Sequence, residues 1–371
     1  WLTDKTEKFC QDKAIYNAIM DGIQIIDGQD KERDTGQIPK LLTDALSVTF
    51  DNHIGHDYIY DSEARFDFYK KKEDRIPFDI DYLNKVTKGG LSKKTLNICL
   101  AGTGVGKSLF MCHCAAANIM QGYNPLYITM EMAEEKIAER IDANLLNVTI
   151  DELKMLPKEA FEKKIERVAN KASGRMIIKE YPTAGAHVGH FRHLLQELKL
   201  KKGFTPDIIY IDYLNICMSS RVRGANANSY TIVKSIAEEL RGLAVEFNVP
   251  IVSATQVTRA GFSSSDIGLE DTSESFGLPA TADFMFAMVS TEELEDLAQL
   301  LFKQLKNRYS DPNFNKRFVV GVDRSKMRLY DVDQKAQEDI ADSGQDDEPL
   351  FDISTDNRHR NKADFGNFQY E

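Results

Sequence analysis

At 371 residues, with 42% hydrophobic and 28% charged side chains, the chain is long enough to bury one large core or two smaller ones and reads as a soluble globular protein. No run of eighteen apolar residues occurs and no secretory pattern opens the chain, so a membrane span is excluded and a cytoplasmic location is expected. The net charge of −11 does not exclude a nucleic-acid partner, because residues 331–371 hold twelve Asp/Glu against four Lys/Arg and leave only −3 on the rest.

The chain begins at Trp1 rather than Met and enters an amphipathic pattern at once, so a preceding N-terminal part is expected. Over residues 1–26, Phe9, Ala14, Ile15, Ala18, Ile19, Ile23 and Ile26 fall at spacings of three, four and five, which predicts a helix whose apolar stripe must be covered. Residues 27–75 read as a connector, polar at first, with Gly28, Gly36 and Pro39. The compact domain is expected over 76–330. Short apolar runs at 95–100, 125–130, 176–179, 207–214, 250–255 and 284–289 read as strands between longer helical patterns. That alternation predicts an α/β fold with a mostly parallel central sheet flanked by crossover helices. A helical stretch is expected before Lys303 to Arg308, with Lys306 and Arg308 on the same side of an extended segment, and a terminal hairpin over 317–332. The acidic tail, 331–371, has too few apolar residues for a core and is expected to be disordered.

Five cysteines, Cys10, Cys99, Cys112, Cys114 and Cys217, lack C-x-x-C spacing and indicate neither a disulfide framework nor a zinc ribbon. Cys112, His113 and Cys114 lie in the predicted helix after a glycine-rich loop, where packing is the expected role. His187, His190 and His193 have no cysteine or carboxylate set beside them and read as a helix surface.

The chemistry begins at Ala101-Gly102-Thr103-Gly104-Val105-Gly106-Lys107-Ser108, between a predicted strand and a predicted helix. This is P-loop context: glycines let backbone N–H groups approach phosphates, Lys107 neutralises β and γ oxygens, and Ser108 offers a hydroxyl to Mg²⁺. Ala101 stands where the general motif has glycine. Asp212 ends an apolar strand and is the candidate second metal residue. Glu131 follows the 125–130 strand and is the candidate to orient or deprotonate water; its rivals Glu134 and Glu135 fall on the next helix. Gln256 leaves the 250–255 strand at the same edge, where an amide can report the nucleotide state. Two polar loops, one with Arg221 and Arg223 and one with Arg259, suit gripping a phosphate backbone through charge and main-chain N–H groups. Lys306 and Arg308 are candidates for an arginine finger, against the alternative of a solvated basic patch.

The segments 78–91, Met130-Glu131-Met132 with Arg140, Ile211-Asp212-Tyr213-Leu214, Ala254-Thr255-Gln256-Val257, 277–283 and Lys306-Asn307-Arg308 together resemble the DnaB-type replicative hexameric helicases, most closely their T-even bacteriophage branch. The resemblance implies a RecA-like P-loop ATPase domain preceded by a linker helix, residues 1–26, that docks on a neighbouring subunit. It implies a homo-hexameric ring binding ATP, or other NTPs, with Mg²⁺ at subunit interfaces, and 5′ to 3′ translocation on single-stranded DNA at a replication fork. Primase and a helicase loader are the implied partners, and the host cytoplasm the implied location. By the same resemblance Glu131 is the catalytic base, Gln256 the coupling sensor, Arg140 part of the nucleotide site, and Lys306 and Arg308 reach the neighbour's nucleotide. The DNA grip would include Arg221, Arg223, Arg259 and the 272–277 segment with Ser273, Glu274 and Gly277. That segment lacks the arginine of the bacterial enzymes, and a collar domain of the family has no counterpart in these residues. The leading alternative is a RecA-like recombinase, which shares the sheet and P-loop but exchanges strands.

Overall fold

The computed structural model describes residues 2–28, 35–46, 48, 55–71, 73–222, 228–257, 268 and 277–333. It divides into two compact units, Trp1–Lys72 and Glu73–Glu371.

The first unit holds helices α1 (Leu2–Ile26), α2 (Ile38–Leu46) and α3 (Ser62–Lys70). Ala18 and Ile25 of α1 and Ala45 of α2 are buried. Of the expected stripe, Phe9, Ile19, Ile23 and Ile26 keep 46–67% of their area exposed.

The second unit opens with α4 (Asp81–Val86) and then builds a sheet through β1 (Leu96–Ala101), α5 (Lys107–Met120), β2 (Pro125–Thr129), α6 (Glu134–Leu146), α7 (Ile150–Met155), α8 (Lys158–Lys171) and β3 (Ile177–Glu180). It continues with α9 (Val188–Lys202), β4 (Ile208–Asp212), α10 (Ser229–Phe247), β5 (Ile251–Gln256), α11 (Gly277–Thr281), β6 (Phe284–Val289) and α12 (Glu292–Asp296), and closes with β7 (Gln299–Asn307), β8 (Arg317–Asp323) and β9 (Arg328–Asp331). The spatial order is β3-β2-β4-β5-β1-β6-β7-β8-β9. Strands from β3 to β6 pair in parallel, and β6 to β9 antiparallel.

Because side chains alternate across a strand, the fully buried β1 feeds two cores. Leu96, Ile98 and Leu100 pack on one face with Leu195 and Leu198 of α9 and Ile236, Leu240 and Leu243 of α10. Cys99 and Ala101 face Phe110 and Ala115 of α5 and Ile137 of α6. Each fully buried Leu or Ile contributes roughly 1.5–3 kcal/mol, so the strand that carries the P-loop is among the most firmly held. Helix ends are closed locally: Thr149 and Glu152 form a capping box on α7, and Asn228 caps α10. His187, His190 and His193 lie at the start of α9, where His187 caps the helix by accepting the Gly189 N–H at 3.0 Å. Cys112, His113 and Cys114 are buried in α5, and burial pushes the Cys112 thiol up to about 12, so these side chains pack.

The helix expected ahead of Lys303 is the short α12, Glu292–Asp296, and the extended segment expected to hold Lys306 is the end of β7, which begins earlier, at Gln299. Its apolar residues suit either period; tertiary pairing decides, because Phe302 stacks between Phe286 of β6 and Phe318 of β8, each with centroids 5.5 Å away. The expected hairpin is β8 and β9, and β8 also pairs with β7. Residues 334–371, most of the acidic tail, lie outside the described residues.

Candidate active site

The P-loop connects two buried elements. β1 ends at Ala101, α5 begins at Lys107, and Gly104 and Gly106 take φ of 81° and 135°, conformations that suit glycine. Ala101 is still in the strand, paired with Gln256 and Met288; extended backbone tolerates a Cβ, which accounts for the departure from the general motif. Lys107 is buried, its Nζ donating to the Gly102 carbonyl at 3.2 Å and lying 5.9 Å from the Tyr213 ring centre.

Parallel pairing brings the ends of β2, β4 and β5 to the edge where β1 ends. Thr103, Gly104, Gly106, Lys107, Ser108, Glu131, Arg140, Gln256 and Arg324 line one cleft of about 290 Å³. Asp212 lies beneath it, fully buried. Its Oδ2 accepts from the Tyr127 hydroxyl at 2.9 Å, while Oδ1 has no hydrogen-bond partner among the described residues. Burial raises the Asp212 pKa; the Ser108 and Tyr127 hydroxyls and Arg140 pull it down, and Glu131 adds to the rise. A buried carboxylate oxygen left bare beside a P-loop serine is costly unless a cation or donor meets it. Glu131 sits on a turn pinned from three sides. The Met130 N–H donates to the Asp212 carbonyl at 3.0 Å, the Thr183 hydroxyl donates to the Met130 carbonyl at 2.6 Å, and the Thr129 hydroxyl accepts the Met132 N–H at 3.1 Å. Its rivals lie on α6, where the Glu134 N–H donates to Glu180 at 3.2 Å and Glu135 is exposed.

Three contacts at this edge carry no motif of their own. The Gln256 amide donates to the Tyr213 hydroxyl at 3.2 Å, so Tyr213 stands between Gln256 and Lys107. Tyr127 holds Asp212. Arg324, in the β8–β9 turn, donates to the Gly104 and Val105 carbonyls at 3.2 and 3.1 Å. Only Tyr213 had a sequence signal, its place directly after Asp212.

Lys306 and Arg308 are not brought to this cleft. β7 runs antiparallel to β6 with Asn307 opposite Phe284, and Phe284 pairs with Asn97 at the start of β1. Arg308 therefore sits at the opposite edge of the sheet, roughly 17 Å of strand from the end of β1 at 3.3 Å per residue, and Lys306, opposite Met285 and so level with Ile98, roughly 10 Å from it. There Arg308 donates to Asp283 at 2.8 Å, and Lys306 donates to the Pro279 and Ala280 carbonyls at 2.5 and 3.0 Å.

Of the expected DNA-contact residues, Arg223, Arg259, Ser273 and Glu274 lie outside the described residues. Arg221 is half exposed and pairs with Glu238 at 3.4 Å and Glu239 at 3.6 Å. Gly277 opens α11 against Lys234, whose Cγ would meet an added Cβ at 2.7 Å. Glu239, buried in α10, anchors the segment around Arg221. It accepts from the Ser219 hydroxyl at 2.6 Å, the Ser220 N–H at 2.9 Å and hydroxyl at 2.7 Å, and the Arg221 N–H at 3.3 Å. Burial would raise its pKa, but these donations outweigh it and hold the carboxyl at about 2. A depressed carboxylate stabilises the fold above its unfolded value, and that stabilisation is lost as pH falls from about 4.5 through about 2. Glu239→Ala is expected to cost about 1–3 kcal/mol by stranding those donors. Urea midpoints at pH 7 check it: an unchanged midpoint would refute the anchor.

Comparison with known proteins accords with this geometry. The profile of the DnaB-like helicase C-terminal domain matches residues 76–305. The chain is 46% identical over 345 residues to the DnaB-like replicative helicase of Enterobacteria phage T4, covering 90% of this chain and 73% of that protein. A probable plasmid replicative DNA helicase of Chlamydia psittaci is 26% identical over 209 residues, 56% of this chain and 43% of that protein. Among solved structures, an ATPase domain superposes with a TM-score of 0.63 at 17% identity, over 75% of this chain and 100% of that one. A DnaB-like replicative helicase studied with primase gives 0.61 at 15%, over 89% and 78%. These two likenesses establish the fold, a RecA-like domain. With the profile covering more than half of its residues and the phage relative aligned along most of its length, the chain belongs to the DnaB-like family of replicative DNA helicases.

Proposed function

We propose that this chain is the motor of a replicative helicase whose ATP sites are completed between subunits of a homo-hexameric ring. One observation carries the reading: the phosphate-binding cleft and Arg308 occupy opposite edges of one sheet. A finger on the far edge cannot serve its own subunit's nucleotide, whereas in a head-to-tail ring each subunit offers it to the next.

In the proposed site the N–H groups of 102–108 and Lys107 bind the phosphates, and Arg140 and Arg324 close the cleft. Glu131 takes the proton from the attacking water, and Gln256 passes the nucleotide state through Tyr213 toward the segments on either side. Ser108 and Asp212 are the residues that would hold Mg²⁺, and they fit it, since Asp212 Oδ1 is buried without a partner. No set of three His, Cys, Asp or Glu side chains suited to a metal occurs among the described residues. When bound, Mg²⁺ supplies charge neutralisation at the β and γ oxygens. Arg221, Arg223, Arg259 and the segment with Ser273, Glu274 and Gly277 would follow the DNA backbone, with Glu239 fixing the base of the first loop. No described helix is long and apolar enough to cross a membrane. Primase as a partner is supported by the DnaB-like helicase studied with primase; a loader and the host cytoplasm belong to the same reading.

Unwinding of a forked duplex tests the reading. Displacement from a substrate with a 5′ tail, requiring ATP and absent with a 3′ tail alone, is expected. Strand pairing and exchange without unwinding would favour the recombinase.

A further inference from the structure

The far edge of the sheet contains a buried carboxylate with no part in the reading so far. Asp283 immediately precedes β6, and the antiparallel register sets it beside the end of β7. Only 6% of its side chain is exposed. Both oxygens are committed. Oδ2 accepts from the Leu96 N–H at 3.0 Å and from Arg241 Nε at 3.1 Å; Oδ1 accepts from Arg241 Nη2 at 3.1 Å and from Arg308 Nη1 at 2.8 Å. The backbone repeats the link, with the Arg308 N–H donating to the Asp283 carbonyl at 3.0 Å. Arg241 therefore grips the carboxylate with a two-pronged fork and leaves one lone pair for Arg308, which it meets through a single nitrogen.

This arrangement sets the direction of Arg308 without neutralising it. One negative charge lies between two guanidinium groups, and Lys306 adds a third cation beside them. Arg308 keeps 49% of its side chain exposed, and among the described residues Asp283 is the one acceptor of its guanidinium, which leaves further N–H groups for an incoming anion. A free arginine on a strand end would sample many rotamers. One held by a buried, doubly anchored carboxylate is already oriented, which is the condition under which a charged group stabilises a transition state efficiently.

We propose that Asp283 is a positioning residue for hydrolysis in the neighbouring subunit: locked by Arg241 and the Leu96 N–H, it aims the Arg308 guanidinium outward from the sheet edge. This rests on reading Arg308 as the finger, so the test separates the two ideas. Steady-state ATP hydrolysis on single-stranded DNA is measured over a range of ATP concentrations for Asp283→Asn rings, for Asp283→Asn mixed with Lys107→Ala, and for Arg308→Ala mixed with Lys107→Ala, in rings shown to be mixed. Asp283→Asn alone is expected to lower kcat about tenfold or more with KM for ATP little changed. Mixing it with Lys107→Ala should restore hydrolysis, because an intact finger then meets an intact P-loop. A merely structural role would damage the subunit's own site and give no recovery. Full activity of Asp283→Asn, or no recovery in its mixture while the Arg308→Ala mixture recovers, overturns the role of Asp283 and leaves the finger standing. If neither mixture recovers, the finger reading falls and this proposal with it. Should Asp283→Asn fail to fold, Asp283→Glu keeps the charge but displaces it by about one methylene, and the same loss and the same recovery are required of it.

Discussion

Glu131→Gln is expected to lower kcat for DNA-stimulated ATP hydrolysis by a factor of about 10²–10⁴, the range over which a positioned general base contributes. The substitution preserves volume and leaves the turn intact, because that turn is held by the Asp212 carbonyl and by the hydroxyls of Thr129 and Thr183, not by the Glu131 side chain. An amide in that place can still meet a water molecule but cannot accept its proton at neutral pH. Nucleotide affinity should change little, since Lys107 and the P-loop N–H groups remain. Phosphate release at saturating ATP, together with equilibrium binding of a non-hydrolysable analogue, checks both halves. A kcat near that of the unaltered protein would remove Glu131 from the reaction.

Arg308→Ala is expected to reduce kcat by about 10³ or more, the lower end of what an arginine finger supplies. The sheet register makes the accompanying expectation specific: because Arg308 lies at the edge away from the P-loop, an isolated subunit should bind ATP as before. Stability should also hold. Asp283 keeps the Arg241 fork and the Leu96 N–H after the substitution, so no buried charge is stranded. A melting temperature close to that of the unaltered protein, beside a collapsed kcat, is the required pair of results. A weakened nucleotide affinity in dilute monomer would contradict the separation of the two edges.

Much of the site was readable in the residues. The P-loop, Asp212, Glu131 and Gln256 each sit at or just after an apolar run, and a parallel sheet delivers all such positions to one edge, so finding the strands was enough to bring these candidates together. Arg140, by contrast, came from the resemblance alone, for nothing in its helical surroundings marks it. Tyr127 reads as one more apolar strand residue until Asp212 is seen 2.9 Å from its hydroxyl. Arg324, in the middle of a polar turn, gives no hint that it reaches the Gly104 and Val105 carbonyls. The Glu239 anchor depends on α10 folding back toward the Ser219 segment, a contact between residues 20 apart with no shared pattern.

The sequence by itself determined the local and periodic features: buried strands as continuous apolar runs, glycines where the phosphate loop needs positive φ, and a lysine and serine at the head of a helix. These depend on neighbours in the chain, and short-range sterics and burial suffice to specify them. The tertiary structure alone decided that the strand expected at Lys306 starts as early as Gln299, since the apolar residues of 299–302 suit two periods and only stacking of Phe302 between Phe286 and Phe318 selects one. It alone set Arg308 across the sheet from the P-loop and locked Arg308 and Arg241 onto one carboxylate. Register and long-range charge pairing join residues far apart in the chain, and composition or periodicity has no means of expressing them.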